Sequence, residues 1–257
     1  MIDINSTAAR IDDAARHAEA IAQLTVSQAF TLDQAYDIQR ASIGRRVERG
    51  EKIIGLKLGF TSRAKMIQMG VESLIWGWLT NAMLEEDGGR VAPDRFIHPR
   101  VEPEVCFLTS RDIDRPLTAL EASSYLEAVA PAMEIIDSRY RDFKFTLEDV
   151  VADNCSSAGL VIGPWSRRFD GLRNAGVAMR FDGRIVQAGS TAAILGDPLR
   201  SIVQASRLLS QSEIVLPAGS LIMAGAATAA HALTSPTHVQ CVVGGLGRAE
   251  FTTYKRS

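Results

Sequence analysis

The sequence is poor in the residues that build thiolate and imidazole sites. It has three cysteines and four histidines in 257 residues. Cys106, Cys155 and Cys241 are far apart and form no CxxC pair, and the histidines show no HxxxH spacing. These patterns argue against a zinc site built on thiolates. Scattered cysteines of odd number are typical of reduced thiols, so we expect a cytoplasmic protein.

The chain also lacks an excess of one charge and a long apolar run. Its 28 basic residues stand against 30 acidic ones, for a formal net charge of −2. Nucleic-acid partners call for clustered Lys and Arg, so we do not expect one. No apolar run reaches the roughly 18 residues that span a membrane. Asp3, Asp12, Asp13 and Glu19 also make the first residues unlike a signal peptide.

Motifs for nucleotide binding and serine hydrolysis are missing as well. There is no GxGxxG or Walker sequence, and Gly-Gly-Leu-Gly at 244–247 predicts a hairpin turn. Ser156 and Ser157 do not stand in a GxSxG elbow. The chemistry of the protein must therefore rest on other residues.

The periodicity predicts an α+β protein. Residues 6–24 and 31–48 have the spacing of helices, and Thr31 begins a capping box. We predict an N-terminal helical subdomain over residues 1–51 and a catalytic, β-rich domain over residues 52–257. Most strands of the second part are joined by turns, without the regular alternation of βαβ units.

Several shorter elements follow from local signals. A capping box at Thr118 predicts a helix over residues 118–129, and residues 132–137 predict a short strand. Asp-Gly within residues 176–188 predicts a hairpin with a type I′ turn. Ser62 predicts the cap of a short helix that runs to Met69.

Two glutamates interrupt an otherwise apolar strand predicted over residues 102–109. Side chains at i and i+2 of a strand share a face, so Glu102 and Glu104 point the same way. Buried carboxylates need a partner, which is a lysine or arginine, a shared proton or a metal ion. Pro103 cannot donate a ladder hydrogen bond, which predicts a bulge or a sheet edge at this point. At an edge, both glutamates would face solvent.

A third carboxylate, Glu134, lies in another apolar run. Three carboxylates without nearby cysteine or histidine favour a hard divalent ion, Mg²⁺ or Mn²⁺. Lys57 alternates with Leu56 and Leu58 between two glycines. Its ammonium group either pairs with an anion, such as a metal ligand or a substrate carboxylate, or extends into solvent from an edge strand. Pattern alone leaves both interpretations open.

Four segments of the chain carry a resemblance to a known family. They are KIIGLKLGFTSRAKMIQMGV, RVEPEV, PAMEIIDSRYRDFKFTLEDVVADN and MAGAATAA. They resemble the fumarylacetoacetate hydrolase superfamily, and the resemblance extends from about residue 30 to residue 253. Within the superfamily, they resemble the branch of hydratases and decarboxylases that act in aromatic meta-cleavage catabolism. Two stretches, AKMIQMGV and DSRYRDFKF, are more similar to the decarboxylases.

The resemblance implies a β-rich core of mixed sheets in a roll and a set of site residues. The family's ExE and PAxE glutamates correspond to Glu102, Glu104 and Glu134, as ligands of Mg²⁺ or Mn²⁺. Its GxKxG lysine corresponds to Lys57, near metal and substrate. The serine of its DNxSS segment falls at Ser156 or Ser157, and we favour Ser157. Lys57, Ser157 and Glu104 are thus the implied catalytic residues.

The implied substrate-binding residues come from four places in the chain. Near the C-terminus, a Gly-x-x-Thr segment resembles the family's cradle for the substrate carboxylate. Relatives often carry an Asp where this chain has Asn81, and an Asn cannot act as a general base. The implied substrate-binding set is Lys57, Leu79, Ser157, Gly225 and Thr228.

The resemblance also implies a reaction. It is the decarboxylation of (E)-2-oxohex-3-enedioate to 2-hydroxypenta-2,4-dienoate and CO₂, by a homo-oligomer that associates with the pathway hydratase. The alternative is the hydratase itself, against which Asn81 argues because a hydratase needs a water-positioning acid or base. The departing carboxylate calls for a less polar wall, for which Phe60, Trp76 and Trp78 are candidates. A non-catalytic scaffold is disfavoured by the intact glutamates and lysine.

Overall fold

The computed structural model describes residues 2–62, 67, 74–234 and 236–255. Most of the short helix predicted over residues 62–69 therefore lies outside the described residues. None of the described helices is both long and apolar enough to cross a membrane. The described α-helices are α1 (Ile4–His17), α2 (Leu24–Ser27), α3 (Leu32–Glu48), α4 (Leu147–Ala152) and α5 (Leu199–Gln211).

The larger sheet is a mixed sheet that curls into a roll. Its strands are β1 (Ile53–Gly59), β2 (Ile75–Thr80), β3 (Leu84–Glu85), β5 (Arg100–Thr109), β6 (Leu126–Ile136), β7 (Ser157–Ile162), β10 (Leu221–Met223) and β11 (His231–Ala232). Their order is β2-β1-β10-β5-β6-β7-β3, with β11 also beside β5. Only a short turn, Asn81–Met83, joins β2 to β3, so the two ends of the sheet meet.

The smaller sheet packs against the outside of the roll. It consists of β4 (Arg90–Val91), β8 (Gly176–Phe181), β9 (Arg184–Ser190), β12 (Thr237–Val243) and β13 (Gly247–Thr253). Their order is β4-β13-β12-β8-β9. The predicted hairpin is confirmed as β8 and β9, with positive φ at Asp182 and Gly183. The predicted turn at 244–247 joins β12 to β13.

Alternation along β5 separates the hydrophobic core from the interior of the roll. Val101, Val105 and Phe107 are buried in the main core, which the two sheets share with α5. Because successive side chains point to opposite faces, Glu102 and Glu104 turn into the roll. Apolar side chains fill the roll beyond them, and strand geometry thus places carboxylates at one end of an apolar interior.

The N-terminal helices pack against the polypeptide that follows α4. Ile11 of α1 and Ile38 of α3 share one hydrophobic cluster with Val151 and Cys155. The predicted capping box at Thr31 is confirmed. Residues on both sides of position 51 thus share a core, and the domain boundary at residue 51 stays a prediction. The α+β class is confirmed.

Two predictions about local secondary structure are wrong. The first helix ends at His17, not at residue 24, because Ala18 adopts a left-handed conformation with φ of 53°. Thr118 does bond Glu121, but a 3-10 turn follows and β6 begins at Leu126. The helix predicted over residues 118–129 is therefore partly strand, since pairing with β5 outweighs its local helical signal. The strand predicted at 132–137 is the second half of β6.

Pro103 marks neither a bulge nor a sheet edge. The register between β5 and β6 is regular from Arg100 to Leu108. On the other side of β5, the ladder is interrupted between β10 and β11, where Ala227 N donates to Pro103 O at 2.9 Å. Proline is tolerated because its missing N–H falls at this interruption.

Close packing at one glycine and open space at another predict opposite effects of Gly→Ala substitutions on stability. A Cβ at Gly55 would stand 2.0 Å from the backbone oxygen of Leu221, whereas a Cβ at Gly44 in α3 would meet nothing within 4 Å. We expect Gly55→Ala to lower the free energy of unfolding by about 3 kcal/mol or more. Gly44→Ala should raise it by roughly 0.5–1 kcal/mol. Urea denaturation measures both, and equal effects would contradict the β1–β10 contact.

Candidate metal and substrate site

Three glutamates converge at one end of the roll. Glu102 lies directly opposite Glu134 in the β5–β6 register, and Glu104 follows Glu102 on the same face. Each offers a carboxylate oxygen, and these atoms all lie within 4.8 Å of one another. Their exposed fractions are 5%, 1% and 0% for Glu102, Glu104 and Glu134. The alternative that Glu102 and Glu104 face solvent is therefore wrong.

Lys57 belongs to the same cluster. It projects from β1, which lies between β2 and β10 and is not an edge strand. Its Nζ lies 3.0 Å from Glu134 Oε2 and donates to Cys155 O at 3.1 Å. The side chain is buried, so it does not reach into solvent. Lysine and carboxylates thus form one charged group.

Burial and mutual repulsion control the ionisation of this group. Burial raises the pKa of Glu104 well above its usual range; the charge of Glu134 adds to this, and Lys57 opposes it. Burial also raises the pKa of Glu134, again against Lys57. For Lys57, burial alone would lower the pKa, but the neighbouring carboxylates raise it above its usual value. The lysine therefore stays protonated.

The donor set fits a divalent cation. Three carboxylates and one ammonium carry a net charge of −2 when all are ionised. Oε1 of Glu104 and Oε1 of Glu134 are buried and accept no hydrogen bond from the described residues. Oxygen donors of this type suit Mg²⁺ or Mn²⁺. Glu102, Glu104 and Glu134 are thus the residues that would hold the ion.

Gly225 supports one of these ligands. Its N–H donates to Glu104 Oε2 at 2.8 Å. Its φ is +109°, and a Cβ would stand 2.1 Å from Thr61 Oγ1, so only glycine fits. The hydroxyl of Thr228 donates to the next carbonyl, Ala229 O. A direct contact of Gly225 and Thr228 with substrate stays a prediction.

A turn of left-handed backbone conformation places the carbonyl oxygen of Cys155 beside Lys57. Asn154, Cys155 and Ser156 have successive φ values of 48°, 53° and 58°. The Asn154 side chain fixes this turn, because Oδ1 accepts from Trp78 N at 2.7 Å and Nδ2 donates to Trp78 O at 2.9 Å. The turn directs Cys155 O at Lys57.

A cavity of about 370 Å³ opens beside the charged group. Glu102, Lys57 and Ser156 line its inner part, and Arg100 lines it as well. Sequence reasoning did not select Arg100, although its position two residues before Glu102 puts it on the same strand face. The apolar lining consists mainly of Phe60, Ile75, Ile136, Phe143, Phe145 and Val150.

The two candidate serines differ in position. Ser156 lines the cavity, and its buried hydroxyl has no partner among the described residues. Ser157 begins β7, and its hydroxyl lies 3.9 Å from Met83 Sδ and lowers the pKa of Glu134. Ser157 therefore stays a predicted catalytic residue on the metal side, and Ser156 is the serine that faces the cavity.

Other predicted residues lie away from the cavity. Leu79 is fully buried with Met83 in the interior of the roll, so its contact with substrate stays a prediction without support from its side chain. Asn81 Oδ1 accepts from Lys52 N at 2.7 Å, which fixes the start of β1. Trp76 stacks on Tyr36, and Trp78 packs edge-on against Trp76. Of the three candidates for the apolar wall, only Phe60 lines the cavity in the described part.

The comparisons with known proteins agree with this geometry. Residues 52–253 match the family described as fumarylacetoacetate (FAA) hydrolase C-terminal. The chain belongs to this family. It is 53% identical over 250 residues to a 4-oxalocrotonate decarboxylase from Pseudomonas sp., covering 97% of this chain and 98% of the relative. It is 35% identical over 227 residues to a 2-keto-4-pentenoate hydratase from Paraburkholderia xenovorans, covering 86% and 84%.

A solved structure shares the whole fold. It is the 4-oxalocrotonate decarboxylase from Pseudomonas putida G7, complexed with magnesium and adipate. The TM-score is 0.94 at 36% sequence identity, and the match covers 97% of each chain. The roll, the smaller sheet and the N-terminal helices of this chain thus form a known architecture of the family.

Charge balance predicts that Mg²⁺ stabilises the protein through Glu104. At about 100 times its Kd, a bound ion adds about 2.7 kcal/mol to the free energy of unfolding. For a chain of this size, that is a rise in Tm of roughly 5–10 °C. Glu104→Gln should abolish this rise, because it removes one anionic ligand. Thermal unfolding with MgCl₂ and with EDTA measures it.

Glu127→Gln is the matched control. Glu127 is also on β6, but it pairs with Arg167 at the surface. We expect its Mg²⁺-dependent rise in Tm to equal that of the wild type. A rise that survives in Glu104→Gln would contradict the assignment of this carboxylate as a ligand.

Proposed function

We propose that this protein catalyses the metal-dependent decarboxylation of (E)-2-oxohex-3-enedioate (4-oxalocrotonate) to 2-hydroxypenta-2,4-dienoate and CO₂. The observation that carries the proposal is the buried group of Glu102, Glu104, Glu134 and Lys57 at the end of a largely apolar cavity. Identity to decarboxylases supports it, as does the magnesium and adipate complex of the solved relative.

Mg²⁺ or Mn²⁺ is the proposed cofactor, held by Glu102, Glu104 and Glu134. When bound, the ion stabilises negative charge that develops on the keto oxygen of the substrate. The bond that breaks joins C5 to the C6 carboxylate. Its electron pair forms C4=C5, the C3=C4 pair moves to C2–C3, and the keto oxygen takes the charge and then one proton.

Lys57 contributes a fixed positive charge beside the reacting keto acid. It is held by Glu134 and by Cys155 O, and it stays protonated because a peptide carbonyl cannot accept a proton and carboxylates favour the ammonium. A preorganised charge of this kind lowers the barrier because it needs no reorganisation when the substrate becomes an enolate. The Ser156 hydroxyl is free to donate in the same cavity.

The apolar wall serves the departing carboxylate. Loss of a carboxylate as neutral CO₂ is easier where the anion is poorly solvated. Ile136, Phe143, Phe145 and Val150 line the cavity beyond the charged group. These side chains exclude water from the bond that breaks.

A hydratase is the second candidate, because hydratases of this family are also similar to the chain. Hydration needs an acid or base that positions water. Among the described residues that line the cavity, Glu102 is the one carboxylate, and none is a histidine. Asn81 lies in the turn after β2 instead, where its side chain accepts a hydrogen bond from Lys52 N. These observations favour decarboxylation.

We further propose the setting in which the enzyme acts. It is a cytoplasmic homo-oligomer in aromatic meta-cleavage catabolism that associates with the hydratase consuming its product. The family resemblance supports these points. The similarity to both decarboxylases and hydratases is consistent with enzymes that share a dienol intermediate.

Turnover tests the function directly. Purified protein with (E)-2-oxohex-3-enedioate and Mg²⁺ should release CO₂, and EDTA should stop the release until Mg²⁺ is added back. Lys57→Met should lower kcat by about 10²–10³-fold, the usual effect of losing one preorganised electrostatic contact. Lys52→Met, at an exposed position just before β1, is the matched control and should be as active as the wild type.

Absence of CO₂ release, together with conversion of 2-hydroxypenta-2,4-dienoate to 4-hydroxy-2-oxopentanoate, would contradict the proposed decarboxylation. Circular dichroism of Lys57→Met separates loss of catalysis from loss of fold.

A further inference from the structure

Arg100 is a second cation of the cavity, separate from Lys57. It is the first residue of β5 and lies on the same strand face as Glu102 and Glu104. Its side chain is exposed and lines the cavity. Within the described chain, these two side chains are the only positive charges of the cavity lining. Lys57 contacts the predicted metal ligand Glu134, and Arg100 lies two residues before Glu102 on β5.

The guanidinium of Arg100 is positioned by an aromatic ring and not by an acid. Its Cζ lies 4.2 Å from the centroid of Phe143. No Asp or Glu of the described chain lies within ion-pairing distance of it. Phe143 itself is fixed, since its φ is +57°, next to +59° at Asp142, and its ring contacts those of His98 and Phe145. Stacking leaves the donor edge of a guanidinium free for a planar anion.

The spacing suits a dicarboxylate. The backbone positions of residues i and i+2 in a strand are about 6.6 Å apart, and this is the spacing between Arg100 and Glu102 along β5. In an extended six-carbon diacid, five C–C bonds of about 1.5 Å place the two carboxylate carbons roughly 6 Å apart. One carboxylate at the ion site therefore puts the other near Arg100, beside the apolar wall.

We propose that Arg100 is the residue that selects dicarboxylates, by pairing with the carboxylate distal to the metal site. This inference rests on the proposed function for the substrate class. The pair forms in the bound substrate and weakens as the carboxylate becomes neutral CO₂. Arg100 therefore acts on binding and raises affinity, and it does not lower the barrier of the chemical step.

The test compares two six-carbon ligands that differ only in the group at one end. Adipate has two carboxylates, whereas hexanoate has one. Isothermal titration of the Mg²⁺-loaded protein should show adipate bound at least tenfold more tightly than hexanoate. Charge-assisted hydrogen bonds contribute about 1.5–3 kcal/mol, so Arg100→Met should weaken adipate binding roughly 10–150-fold. Hexanoate binding should change less than about twofold.

Arg90→Met is the matched control. Arg90 also stacks on an aromatic ring, with Cζ 4.5 Å from the Tyr254 centroid, but it lies outside the cavity. It should leave the binding of both ligands unchanged. With the keto-diacid substrate, Arg100→Met should raise KM by the same factor as the adipate Kd. It should not lower kcat by more than about threefold, because the pair weakens as the carboxylate becomes CO₂.

Two results would overturn the inference. One is unchanged adipate affinity in Arg100→Met. The other is an equal loss for adipate and hexanoate, which would show a structural role. Absence of CO₂ release by the wild-type protein would contradict the proposed reaction, yet the comparison of adipate with hexanoate would still decide the role of Arg100.

Discussion

The buried charge imbalance of three glutamates and one lysine is the constraint on which the site depends. Burial raises the pKa of Glu104 and of Glu134, and Lys57 offsets only part of this effect. Counting only these four described side chains, a charge of −2 remains when all are ionised, and a bound divalent ion would neutralise it. Substrate then meets a site whose electrostatics are set before it arrives.

The fold provides this site through ordinary sheet geometry. Regular pairing of β5 with β6 places Glu102 opposite Glu134, and no kink at Pro103 is needed. Less regular backbone completes the site. Gly225 holds Glu104 through its N–H, and the left-handed turn at Cys155 presents a carbonyl to Lys57. Regular strands thus align the acids, and strained segments direct their partners.

The predictability of these features depends on how local they are. The shared face of Glu102 and Glu104 follows from the period of a strand, and three acids in apolar runs indicated a hard ion. The turn at Asn154 and the ring of Phe143 depend on distant contacts, with Trp78 and with His98. The helix expected at 118–129 failed for the same reason, because pairing with β5 overrides local propensity. Resemblance supplied residues that pattern could not select, such as Ser157 and Leu79, and their roles stay predictions.

The most direct test of the account is anomalous diffraction from crystals grown with Mn²⁺. If the three glutamates hold the ion, one strong anomalous peak lies between Glu102, Glu104 and Glu134. A carboxylate oxygen of each then lies at about 2.0–2.2 Å from it, the distance typical of small divalent ions. A fully loaded crystal without a peak there, or with its peak bound by other residues, would contradict the central claim.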